Sequence, residues 1–217
     1  MSLSEKDKSL CGVIGAGAIA DPQKVAHELS RCGLLLCADG GWAFCRKMGL
    51  VPDLLLGDFD SVDEMPKDIP IMTFPVDKNY TDCMLAVEEG AKRGAQHFYL
   101  AGTLGGRLDH TLGNLQTLGW CTEKGFEARL DDGVTSVYGI VGGKLTLAPR
   151  ENHYFSVVPL SGLCRGVTIR GGRFPLESYD LSFSDPRAIS NEFAGSVVTV
   201  TVEDGIGAVV VTPQLSF

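Results

Sequence analysis

The chain has 217 residues, of which 44% are hydrophobic and 21% are charged, and its formal net charge at pH 7 is -8. This composition is ordinary for a globular protein, and the length allows one large domain or two small ones. The acidic balance argues against a nucleic-acid surface, because a phosphate backbone needs clustered lysines and arginines. No apolar run approaches the roughly 20 residues that cross a bilayer, and the first residues are polar, so we expect a cytoplasmic protein without a membrane segment.

The seven cysteines indicate buried, reduced thiols, because their number is odd and none forms a Cys-x-x-Cys pair. They are Cys11, Cys32, Cys37, Cys45, Cys83, Cys121 and Cys164. The four histidines are scattered and lack the spacing of zinc ligands.

The first 135 residues alternate between strand-like and helix-like segments. Short apolar runs predict strands at 11–14, 34–38, 53–57, 70–74, 97–101 and 126–130. Helices are predicted from Pro22 to about Cys32, over 42–48 before Gly49, from a cap at Thr81 to about Arg93, and from Asp109 onward. This alternation indicates an α/β domain with a Rossmann-like parallel sheet and helices on both of its faces.

The pattern changes after residue 135. Apolar segments predict one hairpin from 136–141 and 144–147 around a Gly-Gly turn, and another from 196–202 and 208–212 across residues 204–207. Further strands are predicted at 154–158 and 166–169. The sequence therefore predicts two domains, an α/β domain over 1–135 and an antiparallel β domain over 136–217.

Acidic or glycine-rich clusters follow four of the predicted strands. They lie at 38–41, 57–61, 77–82 and 105–110. In an open parallel sheet, ligands bind outside the carboxyl ends of the strands, so these clusters should meet at one edge. We therefore expect one composite site for a metal ion and phosphate groups.

Aspartates in these clusters are the candidate metal ligands. Asp58 and Asp60 form an Asp-x-Asp pair after a buried strand, where two hard oxygen donors suit Mg²⁺. Alternatively, they only cap a turn. Asp82 either contacts the metal or substrate or favours a helix N-terminus through the helix dipole. Thr81 is best explained as the N-cap of that helix.

Arg107 is the candidate phosphate-binding side chain. It follows Gly105 and Gly106, and its planar guanidinium matches phosphate oxygens. The glycines form a tight turn or expose backbone amides to an anion. Asp109 is the N-cap of the next helix or a ligand, and His110 is a polar helix residue or part of the site.

Two other glycine motifs do not indicate nucleotide binding. Gly15-Ala16-Gly17 resembles the opening of a dinucleotide-binding fingerprint, but Asp21-Pro22 breaks the strand-to-helix geometry that the motif needs. Residues 142–144 read Gly-Gly-Lys, yet the leading glycine and the final Ser or Thr of a Walker A sequence are missing.

The ordered segments are Asp-Gly-Gly at 39–41, Pro-Asp at 52–53, Gly-Asp-Phe-Asp-Ser at 57–61, Asp-Lys-Asn-Tyr-Thr-Asp at 77–82 and Gly-Gly-Arg-Leu-Asp-His at 105–110, with Asn114 one turn later. This combination resembles the thiamine pyrophosphokinase family. The resemblance implies an α/β nucleotide domain followed by an antiparallel β-sandwich domain, in a homodimer, which agrees with the division drawn from periodicity.

The resemblance also implies an activity and a set of site residues. Family members transfer a pyrophosphoryl group from ATP to the hydroxyethyl oxygen of thiamine and release AMP. By this resemblance Asp58, Asp60 and Asp82 hold Mg²⁺ and, with Arg107, form the catalytic set. The implied nucleotide-binding and phosphate-binding residues are Asp39, Gly40, Gly41, Asp77, Lys78, Thr81, Gly105, Gly106, Asp109 and His110.

The implied thiamine contact lies in the second domain. Ser190-Asn191 resembles the family's Ser-Asn pair, which would bind thiamine across the dimer, although an ordinary turn is the alternative. Animal members stack a tryptophan of the β domain on thiamine, but the two tryptophans of this chain, Trp42 and Trp120, both lie in the predicted α/β domain. Phe183 and Phe193 are candidates to replace it, although core packing is the expected role of each.

Two other functions fit parts of the pattern. A different Mg²⁺-dependent nucleotidyltransferase or phosphohydrolase would use the same aspartates but would leave the second domain unexplained. A non-catalytic thiamine or nucleotide sensor would bind the same ligands without turnover.

Overall fold

The structure is a computed structural model that describes residues 6–57, 66–74 and 80–214. The chain divides into two compact units. The first comprises Met1–Thr117 and Phe126–Gly133, and the second comprises Leu118–Gly125 and Val134–Phe217.

Parallel strands form the sheet of the first unit. They are β1 (Asp7–Ile14), β2 (Cys32–Ala38), β3 (Leu54–Gly57), β4 (Ile71–Thr73), β5 (His97–Ala101) and β6 (Glu127–Asp131). Their order is β6-β5-β1-β2-β3-β4, so β1 lies between β5 and β2 and the order reverses there. The predicted α/β alternation is confirmed, and β1 begins earlier than expected.

The helices are α1 (Pro22–Ser30), α2 (Gly41–Met48), α3 (Asp82–Lys92) and α4 (Leu108–Glu123). Side-chain caps begin two of them. Asp21 Oδ1 accepts a hydrogen bond from Lys24 N at 3.1 Å, and Thr81 Oγ1 accepts one from Met84 N at 3.3 Å. The predicted N-cap role of Thr81 is therefore confirmed.

The boundaries of two helices differ from the expected ones. α1 ends at Ser30, and Cys32 already belongs to β2. α4 begins at Leu108, which places Asp109 inside its first turn. The alternative that made Asp109 the N-cap is therefore wrong.

Apolar side chains of the sheet and of α1 form the core of the first unit. Ile14, Cys37, Leu55 and Tyr99 come from different strands and pack in one cluster with Val25 of α1. Their burial stabilises the sheet by roughly 25 cal/mol per Å² of apolar surface removed from water. The cluster therefore fixes the strands whose carboxyl ends carry the polar residues.

Antiparallel strands build the second unit. They are β7 (Ser136–Leu147), β8 (His153–Pro159), β9 (Leu163–Arg170), β10 (Leu176–Ser182), β11 (Asn191–Glu192) and β12 (Val198–Pro213), with a short 3-10 helix at Pro186–Ala188. Their core is made mainly of apolar side chains of β9 and valines of β12, with Phe155 of β8.

Both predicted hairpins of this unit are wrong. Residues 136–147 form one strand, as do residues 198–213, and these two strands pair with each other from Val198↔Leu147 to Val211↔Ser136. The glycine-containing segment after Val202 interrupts the register as a bulge and does not reverse the chain. Strands β10 and β11 were not predicted.

β12 changes its partner along one edge. Residues 199–204 pair with β9, and residues 207–213 pair with β8. Gly205, at φ +93°, lies between the two segments. A glycine permits this backbone, because a positive φ strains other residues.

None of the helices in the described ranges has the length and apolarity that a membrane crossing requires. All seven cysteines are buried and none forms a disulfide, which agrees with the predicted buried thiols.

Candidate active site

The candidate site lies at the carboxyl ends of β1 and β5, where the strand order reverses. The loops that follow these strands are joined by backbone hydrogen bonds from Gly15 N to Ala101 O at 2.8 Å and from Gly17 N to Gly102 O at 2.7 Å. A reversal of strand order opens a crevice at the sheet edge, where open α/β sheets bind their ligands.

Glycines allow the two loops to approach each other. A Cβ atom on Gly17 would lie 2.6 Å from Gly102 O, and one on Gly15 would lie 2.8 Å from the same atom. Any larger residue would therefore force the backbones apart. The Gly-Ala-Gly segment that lacks a full dinucleotide fingerprint thus shapes the wall of the crevice.

A cavity of about 370 Å³ opens at this edge. Its walls come from the loops after β1, β2 and β5 and from the first turns of α3 and α4. The lining residues are Gly15, Ala16, Gly17, Ala18, Ala38, Asp39, Thr81, Asp82, Cys83, Gly102, Thr103, Gly105, Gly106, Arg107, His110 and Asn114. Seven of the predicted site residues, from three separate clusters of the sequence, therefore share one cavity.

Asp82 is the first residue of α3, directly after the Thr81 cap. A carboxylate there interacts favourably with the partial positive charge of the helix N-terminus. Because Asp82 also lines the cavity, its two suggested roles are compatible.

Arg107 and Asp109 form an exposed ion pair at the rim. Arg107 donates from Nε and Nη2 to the Asp109 carboxylate at 3.1 and 2.6 Å. These hydrogen bonds hold the pKa of Asp109 below its ordinary value and raise the pKa of Arg107. Gly105 and Gly106 precede the arginine with φ of +73° and +69°, so the turn that carries it requires glycine.

Asp39 enters the cavity from the end of β2. Its backbone adopts φ +43°, and Asp39 N donates to Leu56 O at 2.8 Å. Gly40 and Gly41 do not line the cavity. A Cβ on Gly40 would lie 2.9 Å from the Ala16 side chain, and one on Gly41 would collide with Ile14 O, so both glycines seat the start of α2 against the loop after β1.

Asn114 and Thr103 were not assigned a role from the residues alone. Asn114 is buried and donates from Nδ2 to Thr103 O at 2.8 Å, while Thr103 Oγ1 donates to Leu100 O at 3.1 Å. These bonds fasten α4 to the loop after β5 and so hold one wall of the cavity in place.

Four predicted site residues lie outside the described ranges: Asp58, Asp60, Asp77 and Lys78. Gly57, which precedes Asp58, ends β3 beside Asp39, since a Cβ on Gly57 would lie 3.3 Å from Asp39 Cα.

The donors in the cavity suit a hard cation. Mg²⁺ is commonly bound by one or two carboxylates together with substrate phosphates and water. Asp39 and Asp82 both line the cavity. Within the described ranges, no group of three His, Cys, Asp or Glu side chains could hold a metal ion on its own. The chemistry therefore fits Mg²⁺ carried in with a phosphate ligand.

Ser190 and Asn191 lie in the second unit. Ser190, at φ +57°, donates from its backbone N to Ser156 Oγ at 2.9 Å and is exposed. Asn191 is only 3% exposed. Of the candidate aromatic residues, Phe193 packs on Phe155 as expected, with ring centroids 5.1 Å apart, whereas Phe183 is exposed and its expected core role is wrong.

Comparison with known proteins identifies the family. A family model described as "Thiamin pyrophosphokinase, catalytic domain" matches residues 25–130, and one described as "Thiamin pyrophosphokinase, vitamin B1 binding domain" matches residues 144–206. The chain belongs to the thiamine pyrophosphokinase family. It is an enzyme of the class that makes thiamine diphosphate.

Individual family members agree with this assignment. The thiamine pyrophosphokinase of Bacillus subtilis (strain 168) is 28% identical over 180 residues, covering 80% of this chain and 84% of that protein. The crystal structure of thiamine pyrophosphokinase from Bacillus subtilis matches with a TM-score of 0.85 at 24% identity, covering 95% of this chain and 100% of that one. Yeast thiamin pyrophosphokinase matches with a TM-score of 0.73 at 15% identity, covering 96% and 87%. The fold is therefore that of thiamine pyrophosphokinases.

Proposed function

We propose that this thiamine pyrophosphokinase uses ATP as the donor, binds it with Mg²⁺ in the cavity at the carboxyl ends of β1 and β5, and releases AMP. The observation that supports this proposal most directly is that Asp82, Arg107 and the glycine turn at 105–106 line one cavity, although they come from different loops. A triphosphate needs that combination, because its charge must be met by cations and backbone amides.

The proposed reaction is a substitution at the β-phosphorus of ATP. The hydroxyethyl oxygen of thiamine forms a bond to that phosphorus, the bond to the oxygen that bridges the α-phosphate and β-phosphate breaks, and AMP leaves with the bonding electrons. The hydroxyl proton is released. Such transfers depend mainly on alignment and charge neutralisation, since the transition state spreads charge over the phosphate oxygens.

The residues of the cavity would supply that alignment. Two nitrogen atoms of Arg107 donate to Asp109, which fixes the guanidinium at the rim and leaves Nη1 for a phosphate oxygen. Asp82 and Asp39 would hold the metal together with Asp58 and Asp60, and Asp77 and Lys78 would bind the phosphates. Bound Mg²⁺ would withdraw charge from the phosphate oxygens.

One assay tests the donor and the reaction. Purified protein with ATP, Mg²⁺ and thiamine should form AMP and thiamine diphosphate in equal amounts. Formation of ADP, or release of phosphate in the absence of thiamine, would overturn the proposal and favour a different nucleotide-hydrolysing enzyme. Removal of Mg²⁺ with a chelator should stop the reaction, and added Mg²⁺ should restore it.

We further propose that the Ser190-Asn191 segment belongs to the thiamine site. Its support is that both residues lie inside residues 144–206, which match the vitamin B1 binding domain. Thiamine consists of an aminopyrimidine ring and a cationic thiazolium ring, so its binding surface needs aromatic contact and hydrogen-bonding groups.

The finer architecture and the assembly are also proposals. We propose a Rossmann-like arrangement, with helices on both faces of the parallel sheet, for the first unit and a β-sandwich for the second. The partner change of β12 from β9 to β8 supports the sandwich, since bulged strands often pass from one sheet to another. A cytoplasmic homodimer is proposed from the family resemblance, and light scattering should give twice the chain mass of 23.2 kDa.

A further inference from the structure

The side-chain amide of Asn191 is hydrogen-bonded to a neighbouring loop through both its oxygen and its nitrogen. Asn191 Oδ1 accepts a hydrogen bond from Phe174 N at 3.0 Å, and Asn191 Nδ2 donates to Phe174 O at 2.7 Å. Oδ1 also accepts from Glu192 N at 2.9 Å. Because the residue is 3% exposed, a ligand in solution does not reach this amide. Asn191 thus binds both the backbone N–H and the backbone C=O of Phe174.

Further contacts fix the same loop, which connects β9 to β10. Arg173 N donates to Glu192 O at 2.9 Å, and Ala194 N donates to Gly171 O at 3.3 Å. A Cβ on Gly172 would lie 2.7 Å from Phe155 Cζ, so glycine is needed there. Loop 171–174 is therefore held against residues 191–194 at several points.

The ring of Phe174 nevertheless faces water. Phe174 is 57% exposed, although its backbone is among the most firmly bonded in this loop region. Exposing a phenylalanine forfeits the hydrophobic stabilisation that its burial would contribute. A rigid backbone that presents an exposed aromatic ring is suited to ligand contact, because little conformational entropy is lost on binding.

The charges beside the ring show that it accommodates a cation. Arg173 Cζ lies 5.4 Å from the centroid of the Phe174 ring, within the range of a cation–π contact. The same guanidinium is bound by the Glu192 carboxylate through Nη1 at 2.9 and 3.0 Å. The positive charge of Arg173 is thereby offset, so it does not repel a second cation from the ring.

The other aromatic side chains of residues 144–206 are buried, partly buried, or carried by a backbone with fewer hydrogen bonds than that of Phe174. Phe155 is buried, and Phe193 packs on it. Tyr179 is partly buried against the hydrophobic core of the unit and donates to Asp185 at 2.7 Å, and Tyr154 is also partly buried. Phe183 is 73% exposed and donates from its backbone N to Gly162 O at 3.1 Å. Phe183 is therefore the natural comparison for Phe174.

We propose that Phe174 stacks on a ring of thiamine and that Asn191 acts through Phe174 as a positioning residue. This inference rests on the proposed binding of thiamine by the second unit. It changes the role of Asn191 from a direct thiamine contact to the anchor of the residue that makes the contact. The cationic thiazolium ring is the part of thiamine that the Phe174 ring attracts most strongly.

Substitution of Phe174 tests the contact. Phe174→Leu should raise the KM for thiamine about tenfold, in line with the loss of one stacking or cation–π contact. The KM for ATP should stay within about twofold of the wild-type value, because nucleotide contacts lie elsewhere. Phe174→Trp should restore the KM for thiamine, and Phe183→Leu should leave it unchanged. A wild-type KM for thiamine in Phe174→Leu would overturn the inference, as would an effect limited to Phe183→Leu.

A double-substitution experiment tests the positioning role. Asn191→Asp removes the donor to Phe174 O and should also raise the KM for thiamine. If Asn191 acts through Phe174, adding Asn191→Asp to Phe174→Leu should cause little further change. Independent, multiplicative effects would contradict the positioning role. Thermal unfolding shows whether Asn191→Asp remains folded, and the exposed Phe174 variants test the contact if it does not.

Direct titration of thiamine separates this inference from the proposed reaction. Calorimetry without nucleotide should show weaker thiamine binding to Phe174→Leu than to Phe183→Leu. If the wild-type enzyme binds thiamine in this Phe174-dependent way but forms no AMP, the proposed reaction fails and the inference holds. If AMP forms normally and thiamine affinity is equal in both variants, the inference alone fails.

Discussion

Asp82 has two roles to separate, one in the stability of a helix and one in the cavity. It begins α3, where a negative charge stabilises the helix, and it lines the cavity. An asparagine would keep most of the volume and the hydrogen-bonding ability while removing the charge. The residue therefore allows the two contributions to be separated experimentally.

Asp82→Asn should lower kcat by about 100-fold or more, because it removes a charge that acts on the phosphate site. Its free energy of unfolding should fall by no more than about 1 kcal/mol, the usual contribution of a helix-terminal charge. Steady-state kinetics and urea denaturation measure both. Asp68→Asn is the matched control and should behave as wild type. Asp68 is exposed and lies near the amino end of β4, whereas the cavity lies at the carboxyl ends of the strands. Full activity of Asp82→Asn would remove it from the site.

The buried thiols define a second prediction at this scale. Burial raises the pKa of Cys32 and Cys121 from an ordinary value of 9.0 to about 12. A thiol reagent at pH 8 should therefore leave these cysteines unmodified in the folded protein and modify them in denaturant. Since the thiols ionise near pH 9 only in the unfolded chain, the free energy of unfolding should fall as the pH rises from about 9 toward 12. Rapid modification of the native protein would contradict the prediction.

Sequence patterns predicted the polar residues of the site better than its glycine walls. Asp82 and Arg107 stand out because each lies in an acidic or glycine-rich cluster that follows a predicted strand. Gly15, Gly17 and Gly102 matter only because β1 and β5 are neighbours, and the strand order is a long-range property. A short motif cannot show which two loops will touch.

At the scale of elements, the contact between the loops after β1 and β5 is the feature on which the cavity depends. Gly17→Ala should lower kcat/KM for ATP by about tenfold to 100-fold, because its Cβ would push on Gly102 and displace a wall of the site. Gly113→Ala, in α4 with open space around it, should retain activity and stabilise the protein by about 0.5–1 kcal/mol. Steady-state kinetics and urea denaturation of both variants show whether the loss of activity is specific to Gly17 or follows from any glycine-to-alanine substitution.

Glycine also explains why the hairpin predictions failed. An alternating apolar pattern on both sides of a glycine pair is common to a turn and to a bulge. At Gly142 and Gly205, whether the chain forms a turn or a bulge depends on whether a partner strand runs alongside. β7 and β12 are each other's partner strands, so neither segment folds back on itself. Local sequence does not contain that information.

The bulge in β12 can be tested with two glycines of similar backbone conformation. Gly205 has φ +93° and Gly195 has φ +78°. Alanine at Gly195 meets open space and should cost about 1–2 kcal/mol from the backbone alone. Alanine at Gly205 would collide with Leu163 O, so the loss should reach about 3 kcal/mol or more. Equal losses in urea denaturation would show that the bulge adjusts without strain.

At the scale of the whole molecule, ligand binding should appear as added stability. ATP and Mg²⁺ at about 100 times the dissociation constant should raise the free energy of unfolding by about 2.7 kcal/mol. Thermal unfolding of wild type and Asp82→Asn, with and without Mg²⁺, measures the effect. A shift that is the same in Asp82→Asn, or unchanged by removal of Mg²⁺, would contradict the proposed metal and phosphate site.

The change from helix–strand alternation to strands alone was readable from periodicity, since this pattern survives errors in single elements. Some strands of the second unit and the burial of its side chains could not be read in this way. β10 and β11 are short or polar, and the burial of Asn191 is not readable because a buried amide and an exposed one have the same letter in a sequence. Only its bonds to Phe174 reveal the difference.

The central place of β12 has a consequence for how the protein is made. Residues 198–213 pair with β7, β8 and β9, and all three of these strands are synthesised earlier. On the ribosome, those strands wait with unpaired edges until β12 emerges, whereas the strands β1 to β5 already have their partners. The second unit thus completes its sheet only after β12 is synthesised, and until then the waiting strand edges are open to pairing with other chains.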